Sequence, residues 1–537
     1  MSTSGTARDA VVIGAGFAGM YALKRLRDDL ALDVVVVEAG DDVGGTWYWN
    51  RYPGARCDAE SIYYSYTFDP ELDQEWTWSE RYSAQPEILA YAQHVAARYD
   101  LRKDIRFGTT VTAATWDPAS TTWTVHTSDG DVLACRYLVS AAGCLSAANL
   151  PDIAGLADFR GDVLHTGQWP HEPVDLIGRR VAVIGTGSSG IQVIPEIAKV
   201  AAHLTVLQRT PNFTVPARNR LHEPSDVADY KSRYPQIRSE SWASPGGVAV
   251  APPPGKAYDL TPEQREESMR ERWAAGGSNF MWVFEDTMTD LEANAVAAEF
   301  VRDRIRETVR DPEVAERLCP TSHPIGSKRI CTDTDYYETF NRENVTLVDV
   351  RTTPIRRITQ DGVLVGDTEV PADVIVFATG YDAMTGPLSR IDVRGVDGLS
   401  LRDKWSSGAR AYLGIAVAGF PNLFTLTGPG SPSVLANVIA SIEQHVDWLV
   451  DYLRTLDEGG IAATEADQAA EEEWAKRVDA LAHETVYPQA DSWYLGANIE
   501  GKPRQFLPYC AGIPSFREIC DSVAADGYRG FVHSPAR

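Results

Sequence analysis

The residues of this sequence best suited to ligand chemistry lie in two glycine-rich turns, each set between an apolar strand and an amphipathic helix. The first turn, residues 14–19, reads GAGFAG and follows the buried-strand pattern of residues 9–13. Glycines at Gly14, Gly16 and Gly19 let the backbone turn tightly and approach a pyrophosphate, which rests on the N-terminus of the following helix. A second apolar strand ends at Glu38, whose carboxylate can accept hydrogen bonds from ribose hydroxyls. The pattern therefore predicts a dinucleotide site.

The same pattern returns in the middle of the chain with one informative change. The second turn comprises Gly185, Thr186, Gly187, Ser188, Ser189 and Gly190. Its second strand leads into Arg209 and Thr210, and Arg209 follows the last glycine by the same 19 residues as Glu38 does in the first unit. A guanidinium there binds a 2′-phosphate, which a carboxylate would repel. The first unit should therefore bind a dinucleotide without a 2′-phosphate and the second NADPH, with Gln192 among its contacts. The alternative, a surface arginine at a strand end, stays open.

Composition and charge limit the class of protein. The chain has 537 residues and a formal charge of −25, which argues against nucleic acid or an anionic membrane as partner. Its apolar runs are far shorter than the about 20 residues that cross a bilayer. Seven cysteines without C-x-x-C spacing argue against a disulfide framework, a metal site and a redox dithiol. Residues 1–9 are polar and lack the apolar core of a signal peptide, so we expect a cytoplasmic protein.

The order of strand and helix patterns predicts an α/β protein with two dinucleotide-binding, Rossmann-like domains and a helical insertion in the second. The first domain is expected to comprise residues 1–145 and 385–537. The NADPH domain is expected at 150–215 and 330–384, with the insertion at 216–329. Three further apolar strands should end in glycine, at residues 137–143, 373–380 and 423–430, and a helix should begin near Ser433.

Two dinucleotide units could belong to a reductase, a transhydrogenase or a monooxygenase, and two further motifs separate these possibilities. Residues 159–170 (FRGDVLHTGQWP) match F-x-G-x-x-x-H-x-x-x-W-P, and residues 44–58 (GGTWYWNRYPGARCD) match G-G-x-W-x-x-x-x-Y-P-G-x-x-x-D. On these motifs the whole chain resembles the type I Baeyer–Villiger monooxygenases, which are flavin enzymes. The resemblance implies FAD in the first domain and NADPH in the second. It gives the fingerprint histidine, His165, a part in domain movement and no chemistry.

The resemblance also implies a set of site residues. Arg329 takes the position of the arginine that stabilises the C4a-peroxyflavin anion, with Asp58 as its ion-pair partner. Lys328 would join Arg209 at the 2′-phosphate, and Trp493 lies in a segment resembling a mobile loop that closes over NADP. The remaining expected cofactor contacts are Gly45, Thr46, Trp47, Tyr48, Trp49, Tyr64 and Val111. The expected substrate-pocket residues are Leu145, Ser433, Val434 and Leu435.

The implied reaction uses NADPH and O₂ to insert one oxygen atom beside a ketone carbonyl, giving an ester or lactone, with sulfoxidation as a further activity. The expected partners are a small-molecule ketone and O₂, and the expected state is a monomer or small homo-oligomer. One alternative is a flavin enzyme that oxygenates nitrogen or sulfur. Another is a catalytically silent NADPH-sensing flavoprotein, which would have lost Arg329, Asp58 or a glycine turn, and this sequence keeps all of them.

Overall fold

The computed structural model describes residues 6–535, so the expectations for residues 1–5 and 536–537 lie outside the described part of the chain. The strands are β1 (Thr6–Ile13), β2 (Val34–Val37), β3 (Ile105–Arg106), β4 (Val111–Asp117), β5 (Thr122–Thr127), β6 (Val132–Ser140), β7 (Asp162–His165), β8 (Arg180–Ile184), β9 (His203–Gln208), β10 (Thr214–Pro216), β11 (Cys331–Asp333), β12 (Val345–Asp349), β13 (Ile355–Ile358), β14 (Gly362–Val365), β15 (Thr368–Pro371), β16 (Val374–Phe377), β17 (Asp392–Arg394), β18 (Leu423–Thr425), β19 (Ile461–Ala466) and β20 (Phe531–Pro535).

The α-helices are α1 (Phe17–Leu30), α2 (Thr46–Trp49), α3 (Pro70–Glu75), α4 (Gln85–Arg98), α5 (Ser188–Val200), α6 (Pro224–Ala243), α7 (Pro262–Ala275), α8 (Leu291–Thr308), α9 (Pro312–Leu318), α10 (Tyr336–Thr339), α11 (Gly386–Ser389), α12 (Leu401–Trp405), α13 (Val438–Glu458), α14 (Gln468–His483) and α15 (Ile513–Ala525). None of the helices described is long and apolar enough to cross a membrane.

The first glycine turn belongs to an eight-stranded sheet of order β17-β4-β5-β6-β1-β2-β3, with β18 also paired to β6. The strands β1, β2 and β6 run parallel, and Ile13 is in register with both Val37 and Ser140. Since parallel strands end at one edge of a sheet, this register brings the first glycine turn and Glu38 to the same edge.

The second glycine turn belongs to a five-stranded sheet of order β12-β9-β8-β16-β7, in which every pair is parallel. Ile184 is in register with Leu207 and Phe377, and Phe377 is in register with His165. Both sheets carry helices on their faces, which confirms the predicted α/β class with two dinucleotide-binding units. The assignment of residue ranges to domains stays a proposal, as does the boundary of the insertion, whose helices are α6 to α9.

Helix boundaries in the insertion follow from capping residues. The Thr261 hydroxyl accepts a hydrogen bond from Gln264 N at 3.3 Å, so α7 begins at Pro262. Asp290 Oδ1 accepts from Glu292 N and Ala293 N, both at 2.9 Å, so α8 begins at Leu291. These side chains satisfy N–H groups that lack an intrahelical partner, which is why the two helices begin there.

Two expectations about element boundaries are wrong in an informative way. The strands predicted to run into glycine stop earlier, at Ser140, Phe377 and Thr425, because the following segments leave the sheet and line a cavity. The helix expected near Ser433 begins at Val438, with Asn437 as its N-cap. A 3₁₀ turn, Ser433–Leu435, precedes it, and Ser433 itself has a left-handed φ of 41° that an α-helix excludes.

Candidate functional site

The two glycine turns open into one continuous cavity of about 1110 Å³, lined by the carboxyl-terminal ends of parallel strands from both sheets. Most of the predicted site residues line it. They are Gly14, Gly16, Glu38, Gly45, Thr46, Trp47, Trp49, Asp58, Tyr64, Val111, Leu145, Gly185, Thr186, Gly187, Ser188, Ser189, Gln192, Arg209, Thr210, Lys328, Arg329, Val434 and Trp493. The sequence motifs thus meet in one place, although they are spread over most of the chain.

Two predicted glycines lie behind the cavity wall. A Cβ atom on Gly19 would lie 1.8 Å from Gly14 O, and one on Gly190 would lie 2.4 Å from Gly185 O. The third glycine of each turn therefore permits close packing of helix on strand and does not itself face a ligand. Their assignment as direct ligand contacts is corrected accordingly.

Three further predicted residues also point away from the cavity. Asp41 N donates to the Tyr48 hydroxyl at 3.1 Å, and the Tyr48 ring packs against His171. Ser433 is fully buried, with its hydroxyl 3.5 Å from Met384 Sδ. Leu435 packs against the core and is absent from the cavity wall. None of the three side chains lines the cavity, and of the turn Ser433–Leu435 only Val434 does.

The first glycine turn is held against the second sequence motif. Gly45 has a φ of 53°, and a Cβ atom on it would come within 2.8 Å of Gly16 Cα. The N–H of Gly44 donates to Ala15 O at 3.1 Å. The tandem glycines of the motif are thus required by the close approach of two backbones, which leaves the helix N-terminus at Gly16 exposed to the cavity.

Glu38 lies at the end of β2, where its carboxylate accepts hydrogen bonds from Ala15 N at 2.6 Å and Gly40 N at 2.7 Å. Burial raises the pKa of this carboxyl group, and the backbone hydrogen bonds only partly oppose that rise. A buried carboxylate gains from further donors, and two ribose hydroxyls would supply them.

The second glycine turn has open space where a phosphate would rest. A Cβ atom on Gly187, the N-cap of α5, would meet no heavy atom within 4 Å, whereas one on Gly185 would lie 2.5 Å from Ala378 O. The Thr186 hydroxyl donates to Thr210 O at 3.0 Å and joins the turn to the end of β9. The amide of Gln192 is bound to Tyr52 and Arg56 of the second motif, so it ties α5 to the first unit.

Two cations lie beside the second turn. Arg209 and Lys328 both line the cavity, and the carboxylate of Asp491, also in the cavity wall, acts on Lys328 from a distance without a direct ion pair among residues 6–535. Burial lowers the pKa of Lys328, and the nearby charge of Arg209 lowers it further. Because the two like charges repel each other, this arrangement favours a bound dianion such as a 2′-phosphate.

Arg329 lies in the cavity wall and is anchored there by two distant parts of the chain. Its Nε and Nη2 donate to the carboxylate of Asp58 at 2.6 and 2.7 Å, and its Nη1 donates to Val434 O at 2.6 Å. Burial opposes the charge on Arg329, but the Asp58 carboxylate outweighs it, so the pKa of Arg329 lies well above its ordinary value. Burial likewise raises the pKa of Asp58, and the Arg329 charge then lowers it below the ordinary value. Both groups are thus ionised at neutral pH.

The segment around Trp493 covers the cavity and is fastened to residues 378–385, which leave the second sheet. Trp493 lines the cavity, and the neighbouring Tyr494 is buried beside Arg329. Lys502 Nζ donates to Asp382 Oδ1 at 2.5 Å and to Ala383 O at 2.9 Å. The segment therefore forms part of the cavity wall and is tied to residues 382 and 383.

The fingerprint motif, residues 159–170, packs against residues 373–381, and Gly167 and Gln168 line the cavity. His165 Nδ1 accepts from Gly167 N at 2.9 Å, and burial lowers the pKa of this imidazole. A Cβ atom on Gly167 would lie 2.6 Å from the Tyr381 ring, and one on Gly161 would lie 2.2 Å from Asp373 O. These contacts show that the glycines of the motif allow close packing, and the expected part of His165 in domain movement stays a prediction.

Sequence reasoning missed two contributors to the site. The Val434 carbonyl binds Arg329 through the backbone, so no residue type signals it. Tyr494 lies beside Arg329, but in the sequence only its neighbour Trp493 was singled out as a site residue. Burial raises the pKa of Tyr494 to about 12, and the Arg329 charge limits that rise.

Comparisons with known proteins agree with this geometry. A family model described as pyridine nucleotide-disulphide oxidoreductase matches residues 8–224. A curated Baeyer-Villiger monooxygenase from Pseudooceanicola batsensis is 40% identical over 99% of this chain and 97% of its own length. Phenazine N-monooxygenase PhzNO1 from Lysobacter antibioticus is 41% identical over 98% of this chain and 96% of its own length.

A solved structure supports the same relationship. An oxidized steroid monooxygenase bound to NADP is 49% identical, with a TM-score of 0.94, and the match covers 99% of this chain and 100% of that one. Similarity at this level extends through both dinucleotide units, the insertion and the segment around Trp493. The chain therefore belongs to the Baeyer–Villiger monooxygenase family of NADPH-dependent flavin enzymes.

Proposed function

We propose that this enzyme inserts one atom of O₂ beside the carbonyl of a hydrophobic ketone, giving an ester or lactone, and that Arg329 stabilises the negative charge that develops on oxygen. The observation that carries the proposal is the anchoring of Arg329. Three of its five N–H donors are bound to Asp58 and Val434 O, and the two remaining N–H groups lie between the Tyr494 side chain and the cavity that Arg329 lines, where a ligand can bind.

FAD and NADP are the cofactors of this chain, and the residues present fit both. The first turn and Glu38 would hold the pyrophosphate and ribose of FAD. The second turn would hold the pyrophosphate of NADP, and Arg209 and Lys328 its 2′-phosphate. When bound, the two cofactors would supply hydride transfer from NADPH to the flavin and the activation of O₂.

The task of Arg329 follows from its chemistry. A guanidinium does not lose its proton at working pH, so it keeps an adjacent oxygen in the deprotonated, nucleophilic form. It can also stabilise the oxyanion that forms when the ketone carbonyl is attacked, a task for which one donor is typically worth about 3–4 kcal/mol. Asp58 fixes the plane of the guanidinium, which determines where the two remaining N–H groups point.

Water must be kept from the reacting oxygen, and the chain supplies a cover. The segment from Trp493 to Lys502 lies across the cavity and is bound to Asp382 and Ala383. Carbon migration to oxygen needs alignment of the bound ketone more than proton transfer, so a closed, rigid cavity suits the step.

The substrate class is inferred from the wall opposite the cofactor turns. Leu145 and Val434 face the cavity near Arg329 with apolar side chains. Burial of hydrocarbon contributes about 25 cal/mol per Å² and needs no polar anchor except at the carbonyl, where Arg329 lies. A hydrophobic ketone fits this arrangement.

The experiment is to measure NADPH consumption against linear, cyclic, aryl and steroid ketones, with each product identified by mass. The proposal expects a gain of one oxygen atom and an ester or lactone from at least one ketone class. NADPH consumption that yields only H₂O₂ with every ketone would reject it.

A second activity, oxygenation of nitrogen or sulfur, is favoured by one specific observation. A relative of almost equal identity over the whole chain is named a phenazine N-monooxygenase. Thioanisole and phenazine, offered beside a simple ketone, separate the two candidates. Sulfoxide together with ester supports the first proposal, including the sulfoxidation inferred from sequence, whereas N-oxide without ester supports the second.

A further inference from the structure

The 3₁₀ turn Ser433–Leu435, which contributes Val434 to the cavity wall, is hydrogen-bonded to Arg329. Arg329 Nη1 donates to the carbonyl of Val434 at 2.6 Å, so this carbonyl anchors the guanidinium together with Asp58 and the neighbouring Tyr494 side chain. Its direction is set by the backbone of the 3₁₀ turn Ser433–Leu435.

The turn begins in a conformation that a serine rarely adopts. Ser433 has a φ of 41°, in the left-handed region where a Cβ atom crowds the backbone. The residue is fully buried, so no contact with solvent accounts for the conformation. Non-glycine residues stay in this region only when surrounding contacts hold them there.

One such contact comes from residues 378–385. The Ser433 hydroxyl donates to Met384 Sδ at 3.5 Å, and Met384 N donates to Cys144 O at 2.8 Å. Asp382 and Ala383, the two residues before Met384, bind Lys502 of the covering segment. Ser433 therefore contacts the same segment, residues 378–385, that binds Lys502 of the segment around Trp493.

We propose that Ser433 is a positioning residue for Arg329, holding a left-handed backbone that aims the Val434 carbonyl at Nη1 and so fixes where the two remaining N–H groups point. The inference rests on the proposed role of Arg329 and deepens it. The turn Ser433–Leu435 then helps to position Arg329, and Ser433 acts through the backbone of this turn without touching the ketone.

Two small substitutions separate this role from ordinary packing. Ser433→Ala removes the hydroxyl but keeps the Cβ atom, so the disfavoured φ loses the hydrogen bond to Met384 and the turn should relax. Ser433→Gly also removes the hydroxyl, but glycine adopts a φ of 41° without penalty, so the carbonyl should stay in place. Ser441→Ala, at another buried serine on α13, is the matched control.

The measurements use the enzyme with FAD and NADP⁺ bound. Crystal structures of each variant give the distance from Arg329 Nη1 to Val434 O, and product analysis gives ester formed per NADPH consumed. We expect Ser433→Ala to lengthen the contact beyond hydrogen-bond range and to lower the ester yield about tenfold, in line with the cost of a Cβ atom in the left-handed region. Ser433→Gly and Ser441→Ala should keep the contact and a yield close to the parent, with unchanged flavin reduction by NADPH.

The outcomes that overturn the inference differ from those that overturn the proposed function. An intact contact and yield in Ser433→Ala, or a loss in Ser433→Gly as large as in Ser433→Ala, would reject the positioning role. If Arg329→Ala, measured in parallel, still forms ester, the proposed function itself fails. If Arg329→Ala abolishes ester while Ser433→Ala changes nothing, only the inference fails.

Discussion

The carboxylate of Asp58 and the guanidinium of Arg329, 271 residues apart in sequence, form two parallel hydrogen bonds of 2.6 and 2.7 Å in the wall of the cavity. The pair remains partly accessible, with side-chain exposures of 22% for Asp58 and 32% for Arg329, because both line the cavity. A bidentate pair fixes the plane of the guanidinium as well as its charge, and a lysine at the same place would not.

Replacing Arg329 with Ala should abolish ester formation while NADPH still reduces the flavin, because hydride transfer does not require a cation at this point. Arg329→Lys keeps a charge but loses the paired geometry, so it should recover only part of the activity. Rapid mixing separates flavin reduction from the reaction with O₂, and product analysis gives the ester yield. Loss of one oxyanion donor typically lowers the rate by about 100-fold or more. Ester formation by Arg329→Ala at more than about a tenth of the parental rate would therefore contradict this role.

Replacing Arg209 with Ala should raise the KM for NADPH and leave that for NADH nearly unchanged, because only NADPH carries the 2′-phosphate. The expected loss is about 1.5–3 kcal/mol in kcat/KM, the usual range for a hydrogen bond to a charged group. Arg356→Ala, an exposed arginine paired with Asp367, is the matched control. An equal loss with both coenzymes would assign Arg209 a structural role.

Lys328 should make NADPH binding sensitive to alkaline pH. Burial and the charge of Arg209 lower the pKa of its ammonium group below the ordinary 10.5. The charge is fully present below the lowered pKa and is lost as pH rises through it, so the KM for NADPH should rise at a lower pH than an exposed lysine would give. Lys328→Met should remove this dependence and raise the KM at neutral pH. KM profiles for NADPH and NADH over the alkaline range test the expectation, and a rise shared by both coenzymes would exclude it.

Shortening the apolar wall should change which ketones are accepted. Val434→Ala or Leu145→Ala enlarges the cavity beside Arg329, so kcat/KM for a bulky aryl or fused-ring ketone should rise relative to a small cyclic one. The contact from Val434 to Arg329 is made by its carbonyl, so it survives the substitution. Leu435→Ala is the matched control, since Leu435 does not line the cavity. If Leu435→Ala changes the ratio of kcat/KM values for the bulky and the small ketone by the same amount, the effect comes from a general loosening of the turn. The apolar wall would then not determine which ketones are accepted.

The sequence by itself determined the α/β class, the two dinucleotide turns and the family to which the chain belongs. Those inferences succeeded because their cause is local. Gly14 and Gly185 need a positive φ that their own residue type permits, and Glu38 and Arg209 lie at strand ends whose distance from the turn is fixed by one helix. Features that depend on the local backbone can be predicted from the sequence, because they require particular residue types at a fixed spacing.

Only the tertiary structure decided which side chains face the cavity and what holds Arg329. The turn at Ser433 departs from the expected helix, since Ser433 has a left-handed φ of 41°, and the turn places Val434 in the cavity wall and the half-buried Leu435 against the core. The anchors of Arg329 are a carboxylate 271 residues earlier and a backbone carbonyl 105 residues later. Contacts of this kind depend on how distant segments pack, and a carbonyl is common to every residue type, so the sequence carries no sign of which one binds.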